Sequence, residues 1–338
     1  MVAVTGGTGM VGAHLLFELI SNGENVRALK RKTSNLSVVK RIFSYYSSDS
    51  DILFNKIEWV EGDVLDLISL EDAFEGINKV YHAAAFVSFV PAEKQKVFEN
   101  NINGTANIVN ACLTKGIKKL CHISSIAALG SSADGGSIDE TMIWSPSKRH
   151  SSYSISKFHS EMEVWRGIEE GLDAVIVNPS VIIGPGDWHK SSSALFSAIY
   201  KGLKFYPLGK TGYVDVRDVA KSSILLMNSD ITHERFILNS GERSYKDAFG
   251  LIAKSVNKPA PSIAAKWWLA EIGWRVEWLR CFVIRKTPQI TRETVSAGYN
   301  NSVYSNKKII EKLGYSFIPI EQSIAETGKL FLNEITSN

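Results

Sequence analysis

A tyrosine and a lysine near the middle of the chain have the types and spacing of an acid–base pair. Tyr153 and Lys157 lie four positions apart in a segment, 151–170, that is predicted to be helical, so they share one helix face. Because a nearby positive charge favours phenolate, we expect Lys157 to lower the pKa of Tyr153 from its usual value of about 10. The same spacing occurs at 200/204, 206/210 and 304/308, but only Tyr153 begins a helix after a strand that ends in two serines. Tyr153 is therefore predicted to be a general acid–base.

Two further polar residues could assist this pair. Ser125 closes the predicted strand 119–124, at the edge where open α/β sheets bind ligands, and its hydroxyl could stabilise charge on a carbonyl oxygen. The alternative is a serine that only ends a strand. Asn101 falls on a predicted long helix, 94–115, where it could hold a proton-relay water or serve only the structure. His82 ends another strand without metal-ligand partners, so no metal site is predicted.

The first residues of the chain have the pattern of a cofactor site. A strand is predicted at 2–5 and a helix at 10–21, and the glycines between them fit G-x-G-x-x-G or G-x-x-G-x-x-G. Such a turn brings backbone N–H groups and the positive end of a helix beneath a pyrophosphate. An ordinary strand–helix turn is the alternative, but the flanking elements favour dinucleotide binding. The predicted contacts in this turn are Gly6, Thr8, Gly9, Met10 and Val11.

The residues after the second predicted strand, 25–29, indicate which dinucleotide binds. In this kind of fold an acidic residue about 20 positions after the glycine turn binds the ribose of NAD, but 28–34 contain no carboxylate. A guanidinium binds a phosphate in bidentate fashion, so NADP is predicted, with Arg31 as its contact and Lys32 behind it. A solvated basic turn would leave NAD possible. Further predicted cofactor contacts are Asp63 and Val64 after the third strand, and Ala83, Ala84 and Ala85 after the fourth.

Short apolar runs alternate with amphipathic ones through the first half of the chain. This pattern predicts a Rossmann-type α/β fold, a doubly wound parallel sheet with strand order 3-2-1-4-5-6. Further strands are predicted at 57–61, 79–83, 174–178 and 235–238, and further helices at 34–46 and 69–75, the last with a capping box at Ser69. The predicted NAD(P)-binding domain takes 1–178 plus 212–240, and a smaller, mostly helical substrate-binding domain takes 179–211 plus 241–338.

Composition limits the partners and the compartment. The 338 residues carry a net charge of +3, which gives no reason to expect nucleic acid. Cys112, Cys121 and Cys281 have no metal-ligand spacing, and their odd number predicts free thiols in a reducing compartment. The most apolar stretch, 263–284, has five charged residues, too many for a bilayer span. A chain that begins on a strand is not expected to carry a cleavable signal peptide. We therefore expect a cytoplasmic protein without a membrane partner.

These motifs together resemble the extended short-chain dehydrogenase/reductases of the NAD-dependent epimerase/dehydratase superfamily, in particular the dihydroflavonol-reductase-like group. The resemblance implies that Ser125 polarises a carbonyl, Tyr153 is the acid–base, Lys157 lowers its pKa and binds the ribose, and Asn101 serves the relay. It also implies cofactor contacts at Asn178, Pro179 and Ser180, and a homodimer through the helices 94–115 and 151–170. The matching motifs lie at 5–12, 63–64, 82–85, 101–105, 124–125, 153–157, 178–187, 213–220, 291–294 and 313–315.

The leading hypothesis is an NADPH-dependent oxidoreductase that reduces a ketone or aldehyde while Tyr153 supplies the proton. Aromatic residues at 188, 196, 200, 205 and 206 suit an apolar or aromatic small-molecule substrate, although such side chains are more often core. One alternative is an NAD-dependent sugar-nucleotide epimerase, which the missing acidic residue after the second strand disfavours. Another is a non-catalytic NADP-sensing binding module, which is expected to lose the Tyr/Lys pair that this chain retains.

Overall fold

Seven parallel strands form the central sheet of this computed structural model, which describes residues 1–130, 136–147, 150–284 and 291–337. The strands β1, β5 and β6 are buried along their whole length, because helices cover both faces of the sheet. The seven strands in chain order are β1 (Val2–Thr5), β2 (Val26–Lys30), β3 (Glu58–Glu61), β4 (Lys79–His82), β5 (Lys119–Ile123), β6 (Ala174–Pro179) and a seventh, Glu234–Leu238.

The order of these strands confirms the prediction. From one edge they run β3-β2-β1-β4-β5-β6, and the strand Glu234–Leu238 extends the sheet beyond β6. In a parallel sheet the carboxyl ends of all strands meet at one edge. The ends of β1, β4 and β5, and the residues that follow them, therefore lie side by side.

Helices on the two faces of the sheet have separate cores. One core contains Leu15 and Phe43, and the other contains Leu70, Ile108 and Val164. The helices up to the middle of the chain are α1 (Met10–Ser21), α2 (Ser37–Tyr46), α3 (Ser50–Asn55), α4 (Leu67–Ala73), α5 (Lys94–Phe98), α6 (Gly104–Thr114) and α7 (Ser152–Glu169).

A smaller, mixed part follows β6 and surrounds a third core that contains Trp188, Phe196, Phe249 and Phe331. The boundaries of the two predicted domains stay a prediction. The further strands are β7 (Val181–Ile183), β8 (Phe205–Tyr206), β9 (Lys210–Asp215), β10 (Glu234–Leu238, already placed in the central sheet), β11 (Gly241–Ser244) and β12 (Ile263–Ala264). The further helices are α8 (Ala194–Tyr200), α9 (Val216–Asn228), α10 (Tyr245–Ser255), α11 (Trp267–Ile284), α12 (Arg292–Ala297), α13 (Lys307–Leu313) and α14 (Ile320–Ser337).

Two predicted helices differ from the observed ones. The helix predicted at 94–115 is divided into α5 and α6 by a π-helical turn, Glu99–Asn103. The helix predicted to start at Ser69 begins at Leu67, because Asp66 rather than Ser69 caps it and accepts from Ser69 N at 3.3 Å. Within the described ranges, no helix has the length and apolar character needed to cross a bilayer.

Candidate active site

The glycine turn after β1 packs closely against the end of β4 and against α1. Gly6 has φ +70°, and a Cβ there would lie 2.5 Å from the carbonyl carbon of Ala83. At Gly12 a Cβ would lie 2.1 Å from the oxygen of Gly6. Only glycine fits these two positions. The turn therefore depends on its glycines for a close approach between α1, β1 and β4.

The outer side of this turn is suited to an anion. Gly7 and Gly12 are buried, whereas Thr8, Gly9, Met10 and Val11 retain accessible surface. Gly9 is the N-cap of α1, and the first turn of this helix contains no acidic residue. A helix start of this kind presents unpaired N–H groups and a partial positive charge. The predicted pyrophosphate contacts thus have the geometry and the electrostatics that the group requires.

The other predicted cofactor contacts lie along the same sheet edge. Arg31 and Lys32 follow β2 and are exposed, and the main chain of Arg31 is held by Ser34, whose Oγ accepts from Arg31 N at 3.0 Å. Asp63 follows β3 and uses Oδ1 to accept from Leu65 N at 3.0 Å. Val64 packs beneath α6, and Ala83, Ala84 and Ala85 continue from β4 with partly or fully exposed side chains.

The predicted cofactor contacts at the end of β6 are buried and are engaged in contacts within the protein. Asn178, Pro179 and Ser180 are all buried. Asn178 Nδ2 donates to the main-chain oxygen of Ser125 at 3.0 Å, while Ser180 Oγ donates to Leu238 O at 3.2 Å. These contacts tie β6 to the Ser125 turn and to β10. The cofactor role of the three residues stays a prediction.

Ser125, Tyr153 and Lys157 meet beside the ends of β4 and β5. The hydroxyl of Ser125 interacts with the phenol of Tyr153 and lowers its pKa, and Ser125 Oγ accepts a hydrogen bond from Ala127 N at 3.1 Å. Lys157 is 2% exposed, one helical turn along α7, and its Nζ donates to Ile123 O at 2.8 Å. The predicted hydroxyl, phenol and ammonium groups are thus gathered at the carboxyl edge of the sheet.

The expected lowering of the Tyr153 pKa is wrong for this structure. Burial raises the pKa of Tyr153, and the hydrogen bond from Ser125 opposes that rise only in part. Burial also lowers the pKa of Lys157 to about 8, while the negative charge of Glu161 raises it. Nζ of Lys157 donates to Ile123 O, and burial sets the direction of the Tyr153 pKa shift. At neutral pH Tyr153 therefore keeps its proton.

Asn101 lies in the π-helical turn between α5 and α6 and is 1% exposed. Its Oδ1 accepts from Phe86 N at 2.7 Å. Its Nδ2 donates to Phe86 O at 3.0 Å and to Ser156 Oγ at 2.9 Å. A π-helical turn inside a helix often marks a functional site. Here it turns the amide of Asn101 toward the segment that follows β4.

Two carboxylates of this site were missed by the sequence reasoning. Glu161 is fully buried on α7, hydrogen-bonded by Asn178 Nδ2 and paired with Arg235 at 3.3 Å. Glu293, at the start of α12, accepts from Ser152 N at 3.2 Å, next to Tyr153. The signal for Glu161 was its position one turn beyond Lys157. Glu293 was visible only within the 291–294 motif.

His82 has a structural role. Its Nδ1 hydrogen-bonds Thr5 Oγ1 at 2.8 Å and its Nε2 hydrogen-bonds Thr105 Oγ1 at 3.0 Å. Burial lowers the pKa of His82 to about 3, so the ring is neutral. It links the glycine turn to α6 behind the candidate site.

Comparison with known proteins gives a consistent result over nearly the whole chain. Residues 2–239 match the NAD dependent epimerase/dehydratase family. A curated relative, "Putative dihydroflavonol 4-reductase" from Synechocystis sp., is 28% identical over 98% of this chain and 94% of its own length. "Sterol demethylase protein B" from Methylococcus capsulatus is 29% identical over 77% of this chain and 76% of its own length. The crystal structure of gox2253 is 28% identical, with a TM-score of 0.80 over 99% of this chain and 98% of that chain.

Proposed function

The chain belongs to the NAD-dependent epimerase/dehydratase family, and we propose that it is an NADPH-dependent reductase of a ketone or aldehyde. In this proposal the substrate is a small, apolar or aromatic carbonyl compound. A curated relative that matches almost the full length is named a putative reductase, which supports a net reduction rather than an epimerisation. Solved epimerases and dehydratases at 18–20% identity share only the fold with this chain.

One observation carries the proposal: the hydroxyl of Ser125 interacts with the phenol of Tyr153 at the carboxyl edge of the sheet, the same edge at which the glycine turn follows β1. A carbonyl oxygen between these two hydroxyl groups would receive hydrogen bonds where negative charge develops during reduction. The cofactor, when bound, supplies the hydride. The chain's own part is to hold the carbonyl and to deliver the proton.

The ionisation of the pair fits an acid in the direction of reduction. Because burial raises the pKa of Tyr153, its phenol is protonated at neutral pH and can give a proton to the alkoxide oxygen. Lys157, whose pKa lies at about 8, can carry a positive charge one turn away and bind a ribose hydroxyl. Glu161 keeps that charge favourable despite the burial of Lys157.

The preference for NADPH rests on the turn after β2. Arg31 and Lys32 are exposed there, and neither side chain forms an ion pair within the described ranges. Both are therefore available to a 2′-phosphate, and no carboxylate lies in 28–34 to bind a ribose 2′-hydroxyl. NAD stays a possible second cofactor.

The proposal extends to assembly and compartment. We place the dimer contact on the helices of 94–115 and 151–170, where Met162 of α7 is 38% exposed, and light scattering should give twice the chain mass. The three cysteines are free and buried, which supports a reducing, cytoplasmic compartment. Localisation of a tagged chain in cells tests this last point.

The experiment that tests the function is a screen of carbonyl compounds with purified protein and NADPH. We expect stoichiometric conversion of NADPH to NADP⁺ with an alcohol as product. Tightly co-purifying NAD, with sugar-nucleotide interconversion and no net redox change, would support the epimerase instead. Cofactor binding without turnover of either kind would support the non-catalytic module.

A further inference from the structure

The segment that follows β4 brings an aromatic ring onto Tyr153. The ring of Phe89 lies 5.6 Å from the ring of Tyr153, centroid to centroid, at an interplanar angle of 64°. This is the edge-to-face geometry that aromatic pairs favour. Phe89 is partly exposed, so part of its surface remains accessible. It is therefore a candidate wall of the space in which a carbonyl compound would be bound.

Asn101 fixes the start of this segment by pairing with both main-chain groups of Phe86. Its Oδ1 accepts from Phe86 N at 2.7 Å and its Nδ2 donates to Phe86 O at 3.0 Å. The side-chain amide of Asn101, 15 positions away in sequence, thus pairs with both main-chain groups of Phe86, as a neighbouring strand does in a sheet. Without it the N–H and C=O of Phe86 would lose their partners, which is costly in a partly buried segment.

Further hydrogen bonds hold the two neighbours of Phe89 in the chain, Ser88 and Val90. Ser88 is buried, and its Oγ donates to Glu93 at 2.5 Å and accepts from Val90 N at 3.1 Å. Phe89 therefore lies between anchored residues, with Phe86 and Ser88 before it and Val90 after it. These hydrogen bonds hold the main chain on both sides of Phe89, and its ring contacts Tyr153.

The side-chain N–H groups of Asn101 both have partners within the chain. An asparagine amide has two N–H donors, and both are used, by Phe86 O and Ser156 Oγ. The main-chain oxygen of Asn101 already accepts from Thr105 Oγ1 at 2.6 Å and from Ser160 Oγ at 2.8 Å. Ser160 Oγ also lies 2.7 Å from Ser156 O, so its single proton serves one of these two main-chain oxygens at a time. The side-chain amide of Asn101 therefore holds the segment after β4 and α7 in place.

We propose that Phe89 is a specificity-determining wall of the substrate site and that Asn101 is the positioning residue that holds it against Tyr153. The proposal rests on the reductase function proposed above. A ring attached to the substrate carbonyl would pack on Phe89, whereas a short aliphatic chain would not reach it. Asn101 then acts on catalysis through the placement of Phe89.

The kinetic test compares acetophenone with 2-butanone under NADPH. Phe89→Ala should lower kcat/KM about ten-fold for acetophenone and less than about two-fold for 2-butanone. Only acetophenone has an aromatic ring that would lose its packing against Phe89. Asn101→Ala should show the same substrate dependence. The loss of kcat/KM in the double variant should not exceed the larger of the two single losses, because both changes remove the same contact between Phe89 and the substrate ring. Equal losses on both ketones, or multiplicative losses in the double variant, would overturn the proposal and favour a relay role for Asn101.

A second measurement does not need turnover. Hydrogen exchange in Asn101→Ala should accelerate at 84–90 and stay unchanged in α6; unchanged exchange at 84–90 would refute the positioning role. Asn101→Asp keeps the acceptor and loses both donors, and it replaces the alanine variant if that one does not fold. Matched controls are Asn110→Ala, which removes only a partner of Arg166, and Phe98→Ala on α5.

The two levels of the proposal can fail separately. A wild type that reduces neither ketone would count against the reductase function alone. Exchange at 84–90 would still decide the role of Asn101. Ligand-observed NMR of acetophenone in the presence of NADP⁺ would decide the role of Phe89. Identical binding to wild type and to Phe89→Ala would show that Phe89 does not contact the substrate.

Discussion

Glu293 binds the first turn of the helix that carries Tyr153, through Ser152, 141 positions away in sequence. Its two carboxylate oxygens lie 3.2 and 3.3 Å from Ser152 N, and Ser152 Oγ donates to Oε1 at 3.2 Å. A carboxylate at this place satisfies an unpaired N–H and interacts favourably with the helix dipole. The start of α7 is thus fixed by the C-terminal part of the chain.

We expect Glu293→Ala to lower kcat several-fold, because the start of α7 would no longer hold the Tyr153 phenol against Ser125. Stability should fall by about 1 kcal/mol, the usual effect of losing a helix cap. Glu293→Gln retains an acceptor oxygen and should recover most of kcat. Steady-state kinetics and thermal unfolding check both effects.

The control for this prediction is Glu321→Gln, which alters a surface pair with Arg243. It should leave kcat unchanged. If Glu293→Ala lost stability but kept its kcat, Glu293 would have only a structural role.

Much of the fold followed from local pattern. The strand order was predicted correctly because buried parallel strands are short continuous apolar runs, and right-handed crossovers then leave few topologies. The common face of Tyr153 and Lys157 followed from helical spacing alone.

Features that depend on distant contacts could not be predicted in the same way. The pairing of Glu293 with Ser152 has no local signal, because it joins positions far apart in the chain. The raised pKa of Tyr153 results from burial, which the residue types nearby do not reveal. The π-helical turn at Asn101 interrupts an apolar periodicity that reads as one helix.

Glu161→Gln should move the alkaline limb of the pH–rate profile to lower pH. Burial has already lowered the pKa of Lys157 to about 8, and the negative charge of Glu161 opposes this, so its removal lowers the pKa further. The rate at pH 8 should fall about ten-fold, while the rate at pH 6 stays near that of wild type. Profiles of kcat/KM measure this directly.

The matched control is Glu163→Gln, on the same helix but paired with Arg166 near the surface. Its profile should match that of wild type. An equal loss of rate at every pH in Glu161→Gln would mean that Glu161 affects folding and not the charge of Lys157.

Asp218→Asn should stabilise the chain at alkaline pH. Burial raises the pKa of Asp218 to about 6. The carboxylate of Asp218 accepts hydrogen bonds from Tyr315 Oη and Ile318 N, both at 2.9 Å. The usual pKa of an aspartate is about 3.9, so between about pH 4 and pH 6 the folded state binds more protons at this residue than the unfolded state does. The stability due to the neutral carboxyl is complete below about pH 4 and is lost as the pH rises through about 6.

An asparagine stays neutral and can make both contacts. The Tm of Asp218→Asn should therefore exceed that of wild type at pH 8 and equal it at pH 4. Asp247→Asn, at the exposed start of α10, serves as control. A Tm difference that does not change with pH would contradict the assigned ionisation.

Arg31→Ala should remove most of the preference for NADPH over NADH. We expect at least a ten-fold tighter binding of NADPH in wild type, because the guanidinium pairs with the 2′-phosphate. Affinity for NADH should change little. Fluorescence titration with both cofactors measures the two constants, and equal affinities in wild type would refute an NADP site.

Tyr153→Phe separates the acid–base role of Tyr153 from cofactor binding, with NADPH oxidation in the presence of a carbonyl substrate as the readout. The phenylalanine retains the ring against Phe89 and removes only the hydroxyl that contacts Ser125. The acid–base role of Tyr153 predicts that turnover falls by at least about a thousand-fold while the Kd of NADPH stays within about two-fold of wild type. Turnover retained within about ten-fold of wild type would contradict it.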